Sequence, residues 1–174
     1  SRGIDLGRGI EVSDGTSPTL VVRASQWDGP LSTMPPGRHL VLSSVYRNEM
    51  SPLSRVKSLG YTEAVVARLQ ARRQGADEAL LRNTRGFVVC APTSNLFVFS
   101  DGLLITPPLE DGILPGIARR TILEVATHEA ITVCERSVSV EEFSSAEEAF
   151  LTNVVTGPVP VISLDGRPIG NGFS

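Results

Sequence analysis

Apolar and polar positions alternate along most of this chain, and where the alternation breaks it gives way to a helical spacing. Residues 18–25 (PTLVVRAS) and 38–45 (RHLVLSSV) read as strands, separated by 31–36 (LSTMPP), whose paired prolines suit an extended linker. From Tyr61 to Gln74 the apolar Tyr61, Val65 and Leu69 recur every four positions with charges between them, and Gly75 follows, which predicts an amphipathic helix. Strands are then expected at 78–81, 87–91, 95–100 and 103–106, punctuated by Arg85-Gly86 and Asp101-Gly102, as an antiparallel meander. The run 112–118 (GILPGIA) opens a helix over 119–128, where Ile122 and Val125 share a face. A strand at 131–138 follows, and Ser139 and Glu142 have capping-box spacing for a short helix near 141–148. Strands at 150–155 and 159–164, and the Asp165-Gly166 turn into 167–169, complete the pattern. The fold class is α+β, with mixed, mostly antiparallel strands and flanking helices.

At 174 residues and 41% hydrophobic content the chain can bury a substantial core. A formal net charge of −3, with both signs interleaved, supplies no basic stripe to track a phosphate backbone, so nucleic acid is not an expected partner. No apolar run approaches the roughly 18–20 residues that span a bilayer, and the first residues lack a signal peptide's apolar stretch. We expect a cytoplasmic protein with no membrane partner. Cys90 and Cys134 belong to no metal-binding or disulfide pattern. The chain starts at Ser1-Arg2-Gly3 and stops at Gly172-Phe173-Ser174, and reads as cut at both ends.

Charge composition adds one sharper observation. Of the sixteen basic residues fifteen are arginine, and the single lysine is Lys57, just ahead of the first predicted helix. Arginine replaces lysine as a surface charge but cannot lose its proton to become an amine nucleophile. Lys57 is therefore a candidate for covalent chemistry, although an arginine-biased composition would also leave a lone lysine. A lysine used in this way forms a Schiff base with a carbonyl compound, and pyridoxal phosphate is the most common such aldehyde. That cofactor also needs a phosphate cradle, and the helix start at Gly116-Ile117-Ala118 offers unpaired N–H groups and a positive dipole end, unless it is an ordinary loop-to-helix junction. Tyr61, one turn beyond Lys57, is either a ligand for the same group or a core aromatic.

At these residues the chain resembles the class IV aminotransferases, the fold-type IV pyridoxal-phosphate enzymes, which include branched-chain and D-amino-acid aminotransferases and 4-amino-4-deoxychorismate lyase. The matching segments keep the family's order: Lys57 to Tyr61, GADEALL at 75–81, Gly86 to Phe97, Thr106 to Leu109, GILPGI at 112–117, and Leu151-Thr152-Asn153 running to Pro160-Val161. The resemblance implies residues 1–30 as the remnant of an N-terminal lobe that is largely missing here, 31–36 as a linker and 37–174 as the C-terminal cofactor-binding lobe. It implies that Lys57 is the Schiff-base lysine and Tyr61 the partner of the cofactor's phenolic oxygen. Ile117 and Ala118 would give main-chain N–H groups to the phosphate, Leu114 would pack on the ring, and Asn153 and Val154 would lie near the phosphate. Ala118 and Val154 lack the hydroxyls the family often places there. Cys90 stands where most members have a glutamate facing the pyridine nitrogen, which implies a weaker electron sink or, alternatively, only a small buried residue.

The activity so implied is transfer of an amino group from a small amino acid to a 2-oxo acid, with pyridoxal 5'-phosphate as cofactor. A homodimer is implied as well. Leu151-Thr152-Asn153 looks more like the lyases and GILPGI more like the aminotransferases, and a non-catalytic member acting as a binding or assembly subunit is a further alternative. His39, His128 and the arginines at 68, 72, 73, 119 and 120 read as structural or as solvated helix faces.

Overall fold

The computed structural model describes residues 16–26 and 35–171. The chain forms two compact units, residues 1–33 and 34–174. In the first, residues 16–26 contain no helix or strand. The strand expected at 18–25 is thus absent: alternation alone does not make a strand, which needs a hydrogen-bonded neighbour. Arg2, most of the expected N-terminal remnant, residues 31–34 of the expected linker and the last three residues lie outside the described residues.

Nine strands and three α-helices are described in the second unit. The strands are β1 (Arg38–Arg47), β2 (Glu78–Asn83), β3 (Val88–Ala91), β4 (Ser94–Ser100), β5 (Leu103–Thr106), β6 (Val133–Glu135), β7 (Glu148–Asn153), β8 (Gly157–Leu164) and β9 (Arg167–Pro168). Their order β3-β2-β1-β8-β7-β4 closes on itself, because β3 also pairs with β4. The result is a six-stranded mixed barrel, with β5, β6 and β9 as extensions. β1 runs parallel to both β2 and β8, and β5 to β6, whereas the other six pairings are antiparallel. Both Asp-Gly turns form, with Asp101 and Gly102 at φ 51° and 75° and Asp165 and Gly166 at φ 49° and 76°, the left-handed pair a two-residue hairpin requires.

Alternation divides the strands between two faces. Leu40, Leu80, Val88, Leu96, Leu151 and Val161, one from each barrel strand, share a single buried cluster. The opposite face of β1, β2 and β3 carries Val41, Ala79, Leu81, Val89 and Cys90, the last two together because β3 has an irregular register against β2 there, and is covered by Ala67 and Ala71 of α1 (Thr62–Arg73). The opposite face of β4 and β7 carries the stacked rings of Phe97 and Phe150, centroids 5.0 Å apart, under Ile122, Leu123 and Ala126 of α2 (Ile117–His128). The third helix, α3 (Val140–Ser144), is capped by Ser139 Oγ accepting from the Glu142 N–H at 3.0 Å, but the Glu142 carboxylate pairs with Arg136 instead of closing the box, and the helix ends well short of the expected 148, where β7 begins.

Three expectations are corrected. The buried stripe of α1 is Ala67 and Ala71, while Val65 and Leu69 are exposed; small side chains let the helix approach β1 and β2 closely. In α2 Val125 is exposed, and Arg119, expected on a solvated face, is buried, donating from Nη2 to Pro107 O at 3.0 Å and to Glu135 Oε2 at 2.5 Å. The strand at 131–138 shrinks to Val133–Glu135, since its partner β5 offers only four residues; Val138 makes an isolated bridge to Val88 instead. Among the described residues no helix is long and apolar enough to cross a membrane.

Candidate functional site

A cavity of about 680 Å³ opens where α1 and α2 both begin. Volumes of this order suit a small molecule or cofactor. Its floor comes from strand register. Cys90 lies opposite Asn95 across β3–β4, and Asn95 opposite Thr152 across β4–β7, so the three side chains form one row on one face. Two positions further along β4 and β7 that face becomes the Phe97–Phe150 stack beneath α2. The strands that anchor α2 therefore also place the cavity floor at the helix's N-terminal end.

Gly116 is the N-cap of α2, at φ −68° and ψ 140°. A Cβ there would overlap Asn95 Oδ1, so glycine lets the helix start sit this close to the floor without displacing the Asn95 side chain. Asn95 Nδ2 holds the approach by donating to Leu114 O at 2.9 Å. The first-turn N–H groups of α2, at Ile117 and Ala118, are left without helical partners as at any helix start, and both residues line the cavity.

On another wall Lys57 Nζ donates to the Tyr61 hydroxyl at 2.9 Å. Tyr61 is the N-cap of α1 rather than part of its first turn, and Lys57 sits in the loop before it, so the pair is held by the chain's turn and not by helical spacing. Lys57 is exposed and Tyr61 is 38% exposed. Two helix N-termini and the amine of Lys57 meet at this cavity, against one lining carboxylate among the described residues, Glu63, so its potential favours an anion.

All eight residues singled out from the sequence line this one cavity: Lys57, Tyr61, Cys90, Leu114, Ile117, Ala118, Asn153 and Val154. Cys90 is buried, and burial pushes its thiol up to about 11 against a smaller downward pull from the Arg47 guanidinium. It is a neutral floor residue. Asn153 has its side chain engaged already: Nδ2 donates to Ser94 Oγ at 3.0 Å and Oδ1 accepts from the Val155 and Thr156 N–H groups at 2.9 Å each. Val154 is 67% exposed at the rim. His39 and His128 lie elsewhere, bonded to Ser163 and Glu129. The sequence reading missed Arg47, Asn95 and Thr152, whose membership follows from register and strand ends. Asn95 and Thr152 lay within segments quoted for the resemblance, which gave the signal that could have found them.

The site passes a chemical test for pyridoxal phosphate. A lysine amine beside a phenol suits its carbonyl and neighbouring oxygen, and a glycine-headed helix start in the same cavity suits its phosphate. A closed mixed barrel with these flanking helices is the fold of part of the fold-type IV class.

The chain belongs to the family described as Amino-transferase class IV, whose profile matches residues 1–164. A putative branched-chain-amino-acid aminotransferase of Methanocaldococcus jannaschii is 40% identical over 116 residues, covering 67% of this chain and 40% of that protein. Among solved structures, a putative 4-amino-4-deoxychorismate lyase from Legionella pneumophila superposes with a TM-score of 0.75 at 35% identity, covering 79% of this chain and 52% of that one. A branched-chain aminotransferase from T.th., solved with pyridoxamine 5'-phosphate, gives a TM-score of 0.75 at 30% identity, covering 79% and 46%. The chain spans about half the length, or less, of the curated relatives it matches.

Proposed function

We propose that this protein is a pyridoxal-phosphate-dependent aminotransferase that moves the amino group of a small, branched-chain-like amino acid to a 2-oxo acid. The observation that carries the reading is the Lys57–Tyr61 pair in one cavity with the Gly116-headed start of α2. When bound, the cofactor supplies a carbonyl that takes up the amino group and a ring that draws electrons from the substrate's Cα.

The protein's own residues have separable tasks. Ile117 and Ala118 would hold the phosphate through their N–H groups, in a helix start whose dipole favours the negative charge. Leu114 would pack against the ring, and Cys90 lies on the floor as a neutral thiol where a carboxylate would face the ring nitrogen. Lys57 would hold the cofactor through its carbonyl and, as a neutral amine, would serve as the general base at the substrate's Cα. Tyr61 keeps that amine oriented through a bond of 2.9 Å. Asn153 and Val154 close the phosphate side through backbone and surface rather than side-chain donors. A homodimeric assembly belongs to the same proposal.

Borohydride reduction of the full chain incubated with pyridoxal phosphate, followed by peptide mapping, tests it: an adduct on Lys57 is expected, and no adduct refutes the assignment. A second reading, release of pyruvate from aminodeoxychorismate, is favoured by the Leu151-Thr152-Asn153 segment and the 35% identity to the Legionella protein. Pyruvate formed without an added oxo acid would select it, whereas dependence on an oxo-acid acceptor selects transamination.

A further inference from the structure

Arg47 ends β1 and lines the cavity, yet its guanidinium is turned into the protein. Its Nε donates to Gly112 O at 3.0 Å and its Nη2 to Ser54 O at 2.6 Å. These two carbonyls belong to segments that no β-ladder connects. Ser54 lies in the 3-10 turn Pro52–Arg55, just ahead of Lys57, while Gly112 begins the stretch that leads through Leu114 to Gly116 and α2. One planar side chain with donors in a fixed fork thus spans from the lysine loop to the lead-in of the phosphate-side helix.

The same joint is closed from another side. Gly112 sits at φ 86°, and a Cβ added there would come within 2.7 Å of Glu49 Cα. Glu49 accepts from the Thr84 N–H at 3.0 Å and from Thr84 Oγ1 at 2.7 Å, bonds that hold its carboxyl below the usual carboxylate range. Arg85 then joins Glu49 at 3.6 Å to the buried Asp111, the residue before Gly112. The contact between the two segments is tight and polar, with Arg47 on its cavity side.

We propose that Arg47 is a positioning residue that sets the spacing between the Lys57 amine and the N-terminus of α2, so that a ligand bearing both a carbonyl and a phosphate is held at both ends at once. The inference rests on the function proposed above. When two contacts are made by one rigid ligand, the second is effectively intramolecular, and its advantage survives only while the two contact points keep their separation. Loosening the brace therefore removes the advantage of having both ends while leaving each end intact.

Two probes separate these cases: pyridoxal 5'-phosphate, and pyridoxal, which lacks the phosphate. Each is titrated into the full chain, and the adduct on Lys57 is trapped with borohydride and quantified. The unaltered protein is expected to trap pyridoxal phosphate at much lower concentration than pyridoxal. Arg47→Leu should shrink that preference by about fivefold or more, within the roughly 5- to 150-fold range of couplings between sites, with the pyridoxal titration unchanged. Equal weakening toward both probes, or no change, overturns the role of Arg47. Absence of any Lys57 adduct in the unaltered protein overturns the functional reading instead. If Arg47→Leu loses its cooperative unfolding transition, Arg47→Lys decides: keeping the charge but reaching one carbonyl, it must show the same selective loss to a smaller degree, and an unaltered preference refutes the proposal.

Discussion

The floor of the cavity and its rim are built on opposite principles. Cys90, Asn95 and Thr152 on the floor are all less than 10% exposed and are tied into β-ladders on both sides or packed beneath α1. Lys57 on the rim is exposed, in a loop whose position depends on the Tyr61 hydroxyl and the side-chain brace at Ser54. Stability and chemistry therefore reside in different places. Floor residues hold distances that the barrel already enforces, so changing them should be felt in folding. Rim residues are free of the core, so changing them should be felt in reaction with little effect on folding.

The sharpest separation is expected for Lys57→Ala. Loss of the proposed nucleophile and base should abolish the borohydride adduct and lower turnover on the order of 10²- to 10⁴-fold, while the melting temperature stays where it was. A large fall in melting temperature would erase the distinction between rim and floor. Gly116→Ala acts at the boundary. Its Cβ must displace Asn95 or the start of α2, so about 1–3 kcal/mol of stability should be lost together with affinity for pyridoxal phosphate, measured by denaturant titration and by adduct trapping.

Alkaline pH tests the floor by itself. The native Cys90 thiol titrates at about 11, above its ordinary value near 9. As pH rises past 9 the unfolded chain gives up this proton while the native chain keeps it, so stability falls between about pH 9 and 11 and levels off above. The loss is on the order of 3 kcal/mol, and Cys90→Ala should remove this component from the pH dependence of unfolding. Alkylation near pH 8 should label the half-buried Cys134 in preference to Cys90. The smallest effect is expected for Tyr61→Phe, which deletes one hydrogen bond to Lys57: roughly a tenfold loss in turnover with unchanged melting temperature. An equal loss in Lys57 trapping and in stability would show that Tyr61 belongs with the floor.

Local parts of the molecule were legible along the chain: both Asp-Gly hairpins, the Ser139 cap, the meander β2–β5 and the helix opening at Gly116, each decided by residues within a few positions of one another. Eight residues singled out from distant segments also prove to line one cavity, because an ordered set of segments constrains a site even when no segment does so alone. Packing settled the rest. Barrel closure depends on β3 pairing with β2 and β4, and on β1 running parallel to β2 and β8, choices that no local pattern specifies. The faces of α1 and α2 were misread for the same reason, since a helix buries the side chains that fit its neighbours, here alanines and an ion-paired arginine, rather than the most apolar ones. Asn95 and Thr152 fell inside segments that carried the resemblance, and Arg47 in none, but the place of all three at the site exists only across strands and between loops. Short-range chemistry is written along the chain; distances between segments are set by how side chains from remote positions fill the space between them.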